Sequence, residues 1–293
     1  MTMTTLGDMN IYVAAPGTAP TAAIIVIPEI FGLNAGIRQK CDSWAAKGYL
    51  AVALDIFWRF APGVELNPDV EAELNEAFGY FQQYDADKGV LDIETVIKAI
   101  RHGLAGHGPV AKVGCVGFCL GGRLAYMAAA RTDIDGSVGY YGVMIDQMLG
   151  ESHAIAHPLM LHIPTADHFV GPEAQAAIHA GLDDHPKVTL HDYVGLDHGF
   201  AAEMGNRRDE AGAVLADGRW YRVRRRTLTP ALSQGERGQF PAALRLSGSF
   251  SSWRRKKFSV ALRLSGSLSP WERAGVRAGR EHVMPHAATS PSI

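Results

Sequence analysis

Cys119 stands in the stretch Gly117-Phe118-Cys119-Leu120-Gly121-Gly122, a Gly-x-Cys-x-Gly frame. A nucleophile held on a sharp strand-to-helix turn leaves no room for a side chain two residues away on either side, which is the reason for glycine at both positions. A helix starting just after the cysteine aims backbone N–H groups and the positive end of its dipole at the sulfur, favouring thiolate. Such a sulfur attacks carbonyl carbon. It needs a base to take its proton, and the base needs a group to orient it.

Two later loops supply those residue types. Asp167 lies in Thr165-Ala-Asp-His-Phe-Val170 and His198 in Gly195-Leu-Asp-His-Gly-Phe200, each just after an apolar run. Nucleophile, acid and histidine therefore occur in the chain order expected of a strand–turn–helix nucleophile fold. Asp197 is a rival acid, but as the neighbour of His198 it would point elsewhere. The expected roles are attack by Cys119, proton shuttling by His198 and fixing of the imidazole tautomer by Asp167. The developing oxyanion would meet the backbone N–H groups of Leu120 and Ile30.

Glu29 is the unusual member. It follows the apolar run Ala22-Ala23-Ile24-Ile25-Val26-Ile27 and sits one residue from a candidate oxyanion donor. Burial there would raise its pKa. Ionised, it would compete with the thiolate for the imidazolium or take the thiol proton itself. Tyr140 and Tyr141 end a strand facing the site; one hydrogen-bonds substrate, or both are aromatic core. Phe78 and Phe169 are the other candidate substrate contacts.

Strands and helices alternate in the way needed to position these loops. Apolar runs at 22–27, 49–56, 111–118, 136–142, 159–163 and 187–193 read as strands, and Asn10 to Ala15 alternates like an edge strand. Helices are expected at about 35–47, 67–84, 87–103, 120–131, 173–182 and 209–216. This order implies an α/β fold, a mostly parallel sheet with helices on both faces. In such a sheet the active loops share the carboxyl edge of the strands.

The net charge of −2 conceals a split: residues 1–218 carry a balance of −14 and residues 219–293 one of +12. A break of this kind marks a domain change or an added tail. Residues 1–218 are expected to form one α/β domain. From Gly218 onward Arg, Ser, Gly and Pro dominate, and the unit Phe240 to Trp253 returns at Phe258 to Trp271. Two copies are too few for a repeat array, so this basic low-complexity tail is expected to be disordered. Its segment Thr227 to Gly238 is similar to translated interspersed repeats of bacterial genomes, which points to a frameshift or read-through origin and to a last helix cut short near Ala216.

Three cysteines, Cys41, Cys115 and Cys119, make no disulfide framework. No apolar run reaches membrane-span length and the first ten residues lack an export pattern. These features predict a cytoplasmic protein with no membrane association. Eight histidines fall between His153 and His198, without metal-ligand spacing. Neither metal nor cofactor is expected, the protein is expected to be a monomer, and nucleic acid is not an expected partner.

Pro28-Glu29-Ile30-Phe31-Gly32-Leu33-Asn34, the cysteine turn, Tyr140-Tyr141-Gly142, Asp167-His168-Phe169-Val170 and His198-Gly199-Phe200 together resemble the dienelactone hydrolase family of α/β-hydrolases. The likeness spans about residues 8–218. It implies a cysteine-dependent hydrolase of lactone or ester bonds, of the carboxymethylenebutenolidase type, in which the residue matching Glu29 helps switch the cysteine to thiolate when substrate binds. It also implies two arginines for a substrate carboxylate, yet the matching positions hold Leu74 and Ala202. Neither can bind a carboxylate. The other expectation is a catalytically impaired member whose basic tail binds nucleic acid or nothing.

Overall fold

The computed structural model describes residues 1–227. Eight strands form one sheet: β1 Thr2–Leu6, β2 Met9–Ala14, β3 Ala23–Ile27, β4 Leu50–Leu54, β5 Val113–Phe118, β6 Gly136–Tyr140, β7 Leu159–Pro164 and β8 Val188–Tyr193. Their order is β1-β2-β4-β3-β5-β6-β7-β8. β1 and β2 pair antiparallel and β2 runs antiparallel to β4, while β3 through β8 are parallel. Six helices accompany them: α1 Ala35–Ala45, α2 Glu71–Gln83, α3 Ala86–His102, α4 Leu120–Arg131, α5 Pro172–Leu182 and α6 Glu210–Thr227. The α/β architecture with its mostly parallel sheet is the expected one.

The apolar runs are continuous because both faces of the sheet are covered. Ile25 and Ile27 pack with α3 and α4 on one face, whereas Ile24 and Val26 pack with α1 and α6 on the other. All five residues of β3 are buried. Because β3 to β8 run the same way, the loops carrying Glu29, Cys119, Tyr141, Asp167 and His198 open on one edge. That edge holds the site.

Two expectations need correction. The strand at Asn10 is not the edge; β1 lies outside it, pairing Leu6 with Met9 through Thr2 with Val13. Between β6 and β7, Ile145–Ala154 form 3₁₀ turns. The composition change at Gly218 predicts a helix ending near Ala216, but α6 continues to Thr227. Gly218 weakens a helix by roughly 1 kcal/mol relative to alanine. Trp220, 2% exposed, offsets this by packing edge-on against Trp44 at 5.5 Å; full burial of a large apolar side chain contributes about 1.5–3 kcal/mol. The internal repeat and the rest of the basic tail lie outside the described residues.

Candidate active site

β5 ends at Phe118 and α4 begins at Leu120, so Cys119 alone makes the turn. Its backbone has φ 55° and ψ −114°, a conformation non-glycine residues rarely adopt. Neighbouring structure holds it there. Cys119 N–H donates to Tyr140 O at 3.0 Å, and Arg123 N–H donates to Cys119 O at 3.1 Å. The flanking glycines are needed for close approach: a Cβ at Gly117 would lie 1.9 Å from Gly121 O, and one at Gly121 would lie 2.3 Å from Ile27 O. The thiol is half-buried, unlike Cys41 and Cys115, which are fully enclosed. Burial pushes the Cys115 thiol up to about 12 and keeps it an inert core group.

Among the described residues, no acceptor takes the main-chain N–H of Leu120 or Ile30. The contact between Gly121 and the end of β3 brings the start of α4 against the loop that carries Glu29 and Ile30.

Asp167 and His198 meet across the loops after β7 and β8. His198 Nδ1 lies 2.9 Å from Asp167 Oδ2 and 3.1 Å from Oδ1. Phe169 N–H and Val170 N–H also donate to Asp167 Oδ1, at 2.8 and 3.1 Å, so backbone and imidazole together fix the carboxylate. Asp197 is turned away: it accepts from the N–H groups of His168 and His198 and pairs with the His168 ring at 2.8 Å. On the far side of the imidazole, His198 Nε2 is buried and makes no hydrogen bond of good geometry, although the Cys119 side chain is close enough to act on the ring. Burial alone would lower the His198 pKa, but the Cys119 side chain and then Asp167 reverse this and raise it to about 10.

Glu29 joins the same group. Desolvation raises its pKa above the usual carboxylate value, against the opposing pull of His198, Tyr141, Lys40 and Arg207. Tyr141, 1% exposed and at φ 41°, is its close neighbour. Burial and then the Glu29 charge push the Tyr141 hydroxyl well above 10. The Tyr141 ring also packs 4.9 Å from His198. Lys40, on α1, is bound to Glu203 at 2.8 Å and lies over the Phe118 ring.

The aromatic candidates divide. Phe169 stands edge-on to His198 at 4.8 Å and borders the imidazole, and Phe78 of α2 lies 6.1 Å from Phe169. Tyr140 does not border the imidazole. The Tyr140 side chain turns to the α6 side, fully buried, and its hydroxyl donates to Asp217 Oδ1 at 2.8 Å. Tyr140 is a core residue whose main chain, not its ring, reaches Cys119. Leu74 and Ala202 are each 7% exposed, apolar and buried. The sequence reading missed Asp217, Lys40 and Arg207; Asp217 has no local signal, since its partner lies 77 residues away.

A half-exposed thiol on a strained turn, a buried imidazole oriented by a buried carboxylate and free main-chain donors nearby form a set suited to nucleophilic acyl transfer. Among the described residues, no group of three His, Cys, Asp or Glu side chains could hold a metal ion, and no helix is long and apolar enough to cross a membrane.

The strand order and the strand–cysteine–helix turn are those of an α/β-hydrolase. The dienelactone hydrolase family model matches residues 9–224, and the chain belongs to that family. A protein of Azospirillum brasilense, provisionally named a carboxymethylenebutenolidase, is 41% identical over 215 residues, covering 73% of this chain and 91% of its own. The carboxymethylenebutenolidase of Pseudomonas putida is 36% identical over 207 residues, covering 71% and 86%. A crystal structure from Klebsiella pneumoniae subsp. pneumoniae, provisionally described as a dienelactone hydrolase, shares the fold with a TM-score of 0.63 at 23% identity, over 73% of this chain and 92% of that one.

Proposed function

We propose that this protein hydrolyses lactone or ester bonds of small molecules with Cys119 as nucleophile, His198 as base and acid, and Asp167 as orienting carboxylate. The observation that carries the reading is the buried Asp167–His198 pair, with the Cys119 side chain acting on the ring from its other side. The Cys119 sulfur attacks the carbonyl carbon while His198 takes the thiol proton. The tetrahedral oxyanion is held by the N–H groups of Leu120 and Ile30, each donor contributing about 3–4 kcal/mol to the barrier reduction. Collapse breaks the ring C–O bond, and His198 protonates the departing alkoxide oxygen. Water, deprotonated by His198, then attacks the thioester, releasing the carboxylate and restoring the thiol.

Glu29 has a regulating part. Half-buried, with Tyr141 and His198 acting on its carboxylate, it is a second acceptor for the thiol proton, and desolvation raises its affinity for that proton. Phe78, Phe169 and Tyr141 make an aromatic wall for the substrate. With Leu74 and Ala202 apolar and buried, the positions that would hold a substrate carboxylate carry no charge, so neutral lactones and esters are the expected substrates.

A lactone and ester panel, with iodoacetamide treatment in the presence and absence of substrate, tests the reading. Alkylation should abolish turnover, substrate should protect, and carboxylate-bearing substrates should gain nothing over neutral ones. Full activity after complete alkylation of Cys119 would end it.

A further inference from the structure

Three strand-end rings lie side by side on the face of the sheet covered by α6. The Tyr140 and His162 ring centres are 4.3 Å apart, and His162 Nδ1 lies 2.7 Å from Tyr193 Oη. The main chain of the same three residues holds the site. Cys119 N–H donates to Tyr140 O at 3.0 Å, Tyr141 N–H to His162 O at 2.9 Å, and Thr165 N–H, at the start of the Asp167 loop, to Tyr193 O at 3.0 Å. Gly122, in the first turn of α4, packs so closely on Tyr140 that a Cβ there would lie 2.7 Å from its carbonyl oxygen.

The last helix grips this layer at both ends. Tyr140 Oη donates to Asp217 Oδ1 at 2.8 Å, and the Arg219 guanidinium lies 5.0 Å from the Tyr193 ring centre. Tyr140 also stacks at 4.9 Å on Phe118, the residue before Cys119. A strained backbone such as that of Cys119 persists only where its surroundings over-determine it. The tie from α6 does this from behind: with its phenol bonded and its ring stacked, Tyr140 cannot shift the carbonyl that fixes the Cys119 N–H.

We infer that Asp217 is a positioning residue for the reaction, acting through Tyr140 to hold the Cys119 turn in its reactive geometry. The inference rests on the reading of Cys119 as nucleophile. Neither Asp217 nor the Tyr140 ring touches substrate. The role accounts for a carboxylate on α6 bonded to a phenol buried in the core.

The test compares Tyr140→Phe, Asp217→Ala and Asp217→Asn with Trp220→Phe, which loosens the docking of α6 on Trp44 and keeps both partners of the Tyr140–Asp217 bond. Small misplacement of a reacting group lowers turnover steeply, so Tyr140→Phe and Asp217→Ala should each reduce kcat about tenfold or more. KM should change less than about twofold, the signature of a lost transition-state interaction. Iodoacetamide alkylation of Cys119 should slow in parallel. Asp217→Asn, which keeps an acceptor for the phenol, should recover most of kcat, and the Tyr140→Phe/Asp217→Ala double variant should be no slower than the singles. Trp220→Phe should lower the melting temperature and leave kcat unchanged.

Wild-type kcat in folded Tyr140→Phe would overturn the inference, as would a Trp220→Phe loss of kcat matching that of Asp217→Ala at equal destabilisation. If Asp217→Ala does not fold, Tyr140→Phe, which removes one oxygen and keeps the ring, decides. Cys119→Ala separates the two levels. Full activity in that variant would defeat the nucleophile reading itself, whereas an inactive Cys119→Ala beside a fully active Tyr140→Phe would defeat only the positioning role.

Discussion

The side chains of Asp167 and His198 face each other sealed from solvent, with Oδ2 2.9 Å from Nδ1 and 0% and 7% of their side-chain surfaces exposed. A carboxylate in that place fixes which imidazole nitrogen carries the proton and stabilises the imidazolium once formed. Asp167→Asn keeps the shape and loses both effects. It should lower kcat/KM by about 10²–10⁴-fold. Asp197→Asn, removing a carboxylate committed to His168, should cost less than about threefold, within the range of surface changes. Steady-state kinetics on one activated ester would distinguish the two, and a reversed order would place the orienting acid at Asp197.

His198 should titrate far above an ordinary histidine. Its folded pKa, about 10, lies above the reference value of 6.5, with burial opposing and Cys119 then Asp167 raising it. For a group raised in the folded state, the stabilisation is fully present below pH 6.5 and is lost as pH rises through about 10. The difference in unfolding free energy between wild type and His198→Gln should therefore shrink over that window. In Cys119→Ala, the His198 midpoint followed by NMR should drop. An unchanged midpoint would mean that the sulfur does not act on the ring.

Glu29 gives a slope of the same sign at lower pH. Desolvation, outweighing His198 and its other partners, raises its folded pKa above 4.5. The native state then binds this proton more tightly than the unfolded chain, so stability falls as pH rises from 4.5 through the raised value. Glu29→Gln removes the penalty. The variant should be more stable than wild type at neutral pH and lose that advantage as the solution is acidified toward 4.5. Equal stability across the range would indicate a solvated carboxylate. In activity, the variant should show a lower kcat on an activated ester.

The end of α6 contributes measurably to the fold. Trp220, 2% exposed against Trp44, is the kind of side chain whose truncation to alanine costs about 3–5 kcal/mol. A chain ending after Gly218 loses Trp220 and Arg219 together and should show the same loss or more. That is a large part of the 5–15 kcal/mol margin typical of a domain. Thermal unfolding of the shortened chain at the wild-type midpoint would contradict the packing described.

Much of the site was legible in sequence because its signals are local. Glycines two residues either side of Cys119, strand-then-loop placement of Asp167 and His198, and the two-faced apolar runs each follow from sterics or burial within a few residues. The face of Tyr140 was not legible, since the sequence leaves both tyrosines open as substrate contact or core and only the fold turns the Tyr140 ring to α6. Nor were the contacts of α6. The fold is what joins Trp220 to Trp44 and Asp217 to Tyr140, and a glycine beside a run of arginines reads locally as the end of a helix. Likewise, Lys40 and Arg207 act on Glu29 only because α1 and the loop after His198 converge.

The most direct test of the central claim is the hydrolysis of p-nitrophenyl acetate by wild type and Cys119→Ala at equal folded concentration. The variant keeps the oxyanion donors but has no nucleophile, and its rate should fall by about 10³-fold or more. Equal rates in the two proteins would contradict Cys119 as the attacking group.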